Sequence, residues 1–135
     1  MLRTHRIVAL LATAAALGGL AELAMLRHWD GIQLVPWFVL GLTAVVGVVR
    51  ALGSGRLLAW ITGGIGLVGS LVGVYQHAAG NLALGPHLID GWDSMSTAEQ
   101  WWAAFSGTIA ANPALAPGLL GLAGALLLVS TVRED

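Results

Sequence analysis

Four apolar runs decide what this chain can fold into. They cover Ile7–Leu26, Ile32–Val49, Leu57–Tyr75 and Ala114–Val132. Each holds about 18–20 residues, the length a helix needs to cross roughly 30 Å of hydrocarbon at about 1.5 Å per residue. Only 10% of the 135 residues are charged and 57% are hydrophobic, whereas a soluble domain carries about a quarter of its residues charged. A water-soluble fold of this length has too little interior to hide so much apolar surface. The expected fold class is all-α: a single-domain integral membrane four-helix bundle with the lipid bilayer as its solvent.

The links between the runs set the orientation. Arg3 and Arg6 precede the first run, Arg50 and Arg56 bracket the link after the second, and Arg133 follows the fourth. Arg27 alone lies in the first link. Basic residues in short loops stay on the cytoplasmic side. Five arginines against one therefore put both termini inside (N-in, C-in). The first run also has the basic flank and apolar core of a signal peptide. It is longer than a signal core, and no small-x-small cleavage site follows it, so a retained helix is expected. The absence of Lys and the Ala/Gly/Leu-rich text fit a high-GC bacterial genome, hence an inner membrane with a periplasmic outer face.

Composition also excludes chemistries. There is no Cys, so disulfides, thiolate metal sites and CxxC redox chemistry are out. With no Lys there is no Schiff-base lysine. A net charge of −1 gives no footprint for nucleic acid. GxSxG is missing, and the glycine-rich text lies inside an apolar run, where a phosphate loop has no place. No cofactor is required by the sequence.

The stretch from Gln76 to Pro113 is the one long outer loop. It contains Ser96-Thr97-Ala98-Glu99, a capping-box pattern in which Ser caps the third amide and Glu reaches back. The spacing predicts a helix over 97–109. Trp102, Phe105 and Ile109 fall on one face, with Trp101 beside them. Such a helix lies in the membrane interface or lids the bundle. Gly80 to Trp92 reads as less regular, because Gly85-Pro86 and Asp90-Gly91 are turn dipeptides.

Few residues are able to carry chemistry. Glu22 is a carboxylate about one turn inside the outer end of the first run; such groups face the bundle and have partners. Tyr75, Gln76 and Asn81, together with Arg27, form its candidate polar surroundings. A tie to Arg27 or His77 would make Glu22 a register-fixing residue. With His28, His77 and His87 it would make a candidate zinc or copper site at the outer face, although no HxxxH or HxxEH spacing supports one. Asp90, Asp93 and Glu99 make the loop acidic, which suits collecting cations but is also what positive-inside sorting leaves behind.

Gly69 and Gly73 form a GxxxG pair in the third run, and Gly66 and Ser70 a second small-xxx-small step. Small residues let helices approach closely in lipid. Packing within the chain is expected before self-association. Three functions follow, none named by a motif. The first is an accessory or scaffold protein that binds another membrane protein, or itself, through its helices and the Trp-rich outer loop. The second is a metal-ion or cofactor-handling protein using Glu22, His28 and His77. The third is a small oligomeric transporter or channel with Glu22 on the path.

Overall fold

The computed structural model describes residues 3–107, 109 and 117–132, and all regular structure among them is helical. Helix α1 spans Thr4–Met25, α2 Leu34–Ala51, α3 Arg56–Leu88, α4 Thr97–Ser106 and α5 Gly118–Val129. Short 3₁₀ turns at Gly31–Gln33 and Trp92–Ser94 introduce α2 and α4. Pro113 and Ala114, expected at the start of the fourth run, lie outside the described residues, as do the tail residues Arg133, Glu134 and Asp135.

Three helical segments are long and apolar enough to cross a membrane: Thr4–Met25, Gly31–Ala51 and Arg56–Leu88. The helix described in the fourth run, α5, has 12 residues, about 18 Å. Helix α3 has 33 residues, about 50 Å, so a bilayer would cover only part of it. The chain divides into two compact units, residues 1–70 with 119–135, and residues 71–118.

In the first unit α1 buries a narrow stripe of small residues, and α2 and α5 mix small residues with Leu and Val. Helix α1 contributes Ala9, Ala12, Ala16 and Gly19, spaced three and four apart along one face. One core cluster joins Ala16, Leu40, Ala44, Leu120 and Ala123; another joins Ala12, Val46, Ala59 and Leu127. Many bulky residues point the other way: Leu11, Leu17, Phe38, Val45, Trp60 and Val68 are all exposed. Small inside and large outside is how helices pack where the surroundings are as apolar as Leu.

Close approach explains the glycines. A Cβ on Gly63 would sit 2.7 Å from the Gly124 carbonyl oxygen, and one on Gly124 would sit 2.8 Å from the Gly63 carbonyl. Helices α3 and α5 thus meet backbone to backbone. The Thr13 hydroxyl bridges α1 and α2, its single O–H shared between the carbonyls of Ala9 at 3.1 Å and Ala44 at 3.3 Å.

The two link turns end their helices alike. Ser54 N–H donates to Val49 and Gly53 N–H to Arg50; His28 N–H donates to Leu23 and Arg27 N–H to Ala24. Both are the paired bonds of a Schellman motif, which needs a left-handed residue. Gly53 supplies it at φ 98°; at the other turn Arg27 does, at φ 52°.

The second unit is built on the later turns of α3. Trp92 packs with Ala103, Ala104 and Ile109, flanked by Leu82, Ile89 and Met95. The helix continues through Gly85-Pro86 to Leu88, where the dipeptide alone predicts a turn. Trp92 packs onto this segment, its ring atoms coming within 2.5 Å of where a Gly85 Cβ would stand. Gly85 is a flat seat on a helix rather than a break in one. The turn comes at Gly91, φ 77°.

Candidate functional site

The residues singled out in the sequence are distributed over both units. Glu22 lies in the last full turn of α1, half-buried. Among the described residues no hydrogen bond or ion pair joins its carboxylate to Arg27. Arg27 is instead exposed, its backbone absorbed in closing the helix. His28 sits in the link, and its carbonyl accepts from Trp37 Nε1 at 2.6 Å. The Trp37 ring stacks on Trp29 with centroids 5.7 Å apart. This corner of the first unit is an aromatic clamp on the α1–α2 link.

His77 and His87 lie on α3 in the second unit, half-buried and exposed respectively; Tyr75 and Gln76 are exposed. Among the described residues no group of three or more His, Asp or Glu side chains is arranged to hold a metal ion. Asn81 is fully buried and donates from Nδ2 to the Ala104 carbonyl at 2.9 Å. It ties α3 to α4.

Helix α4 starts with the capping box. Ser96 N–H and Oγ donate to the Glu99 carboxylate at 2.8 and 2.7 Å, and Glu99 N–H donates to Ser96 Oγ at 3.4 Å. These bonds stabilise the ionised carboxylate: the Ser96 hydroxyl first, then its amide, hold the Glu99 pKa below its ordinary value. The helix stops at Gly107, φ 73°, short of Ile109. That break separates the three residues whose spacing placed them on one face. Ile109 is buried beside Trp92, while Trp102 and Phe105 remain 75% and 42% exposed. Trp101 stacks on Phe105 at 5.7 Å. A hollow of about 450 Å³ runs along this face, lined by Met95, Ala98, Glu99, Trp102, Ala103 and Ser106.

Gly69 faces Leu120 of α5, and in the second unit Gly73 faces Pro117. The small-residue face of α3 is therefore occupied within the chain.

In the sequence Arg50 and Arg56 mark sidedness alone. In the first unit they have structural partners. Arg50, 8% exposed, donates from Nε to the Ser130 carbonyl at 3.0 Å, and Arg56 Nε donates to the Thr131 carbonyl at 2.8 Å. The Ser130 and Thr131 hydroxyls donate to the carbonyls of Leu127 and Leu128 at 2.6 and 2.7 Å. The end of α5 is thus capped from all sides, with cations at its negative pole. The signal was present in two places: arginines flanking a Gly-Ser-Gly link, and a Ser-Thr pair ending the last apolar run. A groove of about 360 Å³ opens here between Arg56, Leu57, Trp60 and Thr131.

Comparison with known proteins finds no matching family model, no matching curated relative and no matching solved structure.

Proposed function

We propose that this chain is a small multi-pass protein of a bacterial inner membrane that serves as an accessory or scaffold subunit for another membrane protein. The three long apolar helices supply three spans, and residues 114–132, which include α5, supply the fourth. The arginine distribution orients both termini to the cytoplasm and the loop bearing α4 outward. The bulky apolar residues exposed around a core of small ones support immersion in lipid.

The observation that carries the accessory reading is the exposed aromatic face of α4. Trp102 stands 75% exposed beside an apolar hollow, on a helix whose other side is locked into the core by Ala103 and Ala104. Trp is the residue type most enriched at interface hot spots, and a rigidly held Trp beside a hollow has the form of one. The α3 face that carries Gly63, Gly66 and Gly69 is used inside the chain, so the outer loop is the better docking surface.

The test is purification of the tagged chain in mild detergent, wild type against W102A. A partner held in stoichiometric amount by wild type and lost in folded W102A supports the reading. A monomer at every detergent level, or a partner retained equally by W102A, overturns it.

A further inference from the structure

We propose that the groove between Arg56, Leu57, Trp60 and Thr131 binds an anionic glycerophospholipid, with the phosphodiester on the Arg56 guanidinium. The proposal rests on the membrane placement above but not on the α4 docking surface.

The arginine geometry is the first argument. Arg56 is pinned by its Nε bond to the Thr131 carbonyl. A guanidinium has five N–H donors in one plane, so this bond fixes the plane while leaving the two amino groups. Among the described residues those amino groups have no partner, and the residue is exposed. A guanidinium already held in place loses little freedom on binding, and its fork matches phosphate oxygens bidentately.

Charge complementarity is the second. Arg50 caps the same end of α5. The Arg6 guanidinium is close by Gly53 in the neighbouring link, with Nη2 3.1 Å from the position of a Gly53 Cβ. The described acids of this unit, Glu22 and Asp30, lie at the opposite ends of α1 and α2. Glu134 and Asp135 follow Thr131 in sequence and lie outside the described residues. Arg56 is the arginine that lines the groove, and Arg50 and Arg6 add positive charge to the same end of the unit. Basic pockets between membrane helices are where anionic headgroups collect.

The groove also opens a path for an acyl chain. Leu57 and Trp60 wall the groove, and Trp is favoured at headgroup depth. One turn further along α3, Gly64 has nothing within 4 Å of where a Cβ would stand, and beyond it Val68 is exposed. Trp60, Gly64 and Val68 are four apart and share a face. The missing side chain at Gly64 leaves a shallow trough between two bulky ones, leading away from the arginine. Inorganic phosphate would use the arginine alone; a phospholipid uses both arginine and trough.

The test is lipid retention by the full chain purified in detergent, read by native mass spectrometry, with dioleoylphosphatidylglycerol, dioleoylphosphatidylcholine or inorganic phosphate added. We expect wild type to retain the anionic lipid about fivefold better than the zwitterionic one, the ratio for one arginine near a membrane surface. R56Q should reduce retention of the anionic lipid to that of the zwitterionic one. G64L should lower retention of both lipids by filling the trough, and it leaves the arginine in place should R56Q fail to fold. Inorganic phosphate should not displace the lipid. Equal retention of the two lipids by wild type, full retention by folded R56Q, full retention by G64L, or displacement by phosphate would each overturn the proposal.

Discussion

Arg50 Nε donates to the backbone carbonyl of Ser130 at 3.0 Å, joining the end of α2 to the end of α5 across 80 residues of sequence. Both groups are buried. Such a bond is worth more than an exposed one, because removing the donor leaves a desolvated carbonyl. Arg50→Ala should destabilise the protein by about 2–3 kcal/mol, summing the lost charged bond and the lost aliphatic stem. Arg50→Lys should recover less than half, since an ammonium lacks the planar Nε donor. Thermal unfolding in a fixed detergent, followed by far-UV circular dichroism, measures both. Equal stability of Arg50→Lys and wild type would show that charge alone suffices.

Arg27 occupies the left-handed position of its Schellman turn at φ 52°, where a side chain costs about 1 kcal/mol relative to glycine. Arg27→Gly should therefore stabilise the protein by up to about 1 kcal/mol, an unusual direction for a glycine substitution. The corresponding change at the other turn, Gly53→Ala, should destabilise it. Unfolding midpoints of the two variants should move in opposite directions.

Neighbouring glycines on α3 should respond oppositely as well. A Cβ at Gly63 meets the Gly124 carbonyl at 2.7 Å, whereas one at Gly64 meets nothing. Gly63→Ala should cost about 1–3 kcal/mol through overpacking against backbone. Gly64→Ala should be neutral or stabilising by up to about 1 kcal/mol through helix propensity. A loss at Gly64 equal to that at Gly63 would contradict the α3–α5 contact.

Glu99 gives the outer helix a pH dependence. Its pKa is lowered in the folded state by Ser96, so its contribution is fully present above the ordinary carboxylate value. It is lost as pH falls through the lowered folded value. Amide exchange in α4 should accelerate below about pH 4, once the fraying rate is separated from intrinsic exchange. In Ser96→Ala the α4 amides should exchange faster already at neutral pH, with a weaker dependence on acid. Unchanged protection at neutral pH in that variant would remove the cap from the account.

The helices were legible because apolar runs and the Ser96–Glu99 pattern are local signals. What the sequence did not disclose depends on contacts distant in the chain. Gly85-Pro86 has the chemistry of a turn, yet it lies within α3, with the Trp92 ring packed against Gly85. Trp102, Phe105 and Ile109 share a helical period, yet Gly107 ends the helix between them, and Ile109 is buried away from the other two. Arg50 and Arg56 announced their charge but not their acceptors, which lie 80 and 75 residues away. The set of Glu22 and three His was suggested by topology alone, without spacing. Among the described residues Glu22 and Arg27 form no pair, and Arg27 contributes its backbone to closing α1.

The Asn81 amide gives α4 a mechanical character. Swinging α4 away from α3 would strip a fully buried carboxamide of its bond to Ala104 and expose Trp92. That penalty makes α4 a bracket and not a flap. A molecule that lands on Trp102 meets a surface already in its bound shape and spends little of its contact energy on ordering it. Recognition there is set by shape at first encounter, and changes at Trp102 should alter how long a complex lasts more than how fast it forms.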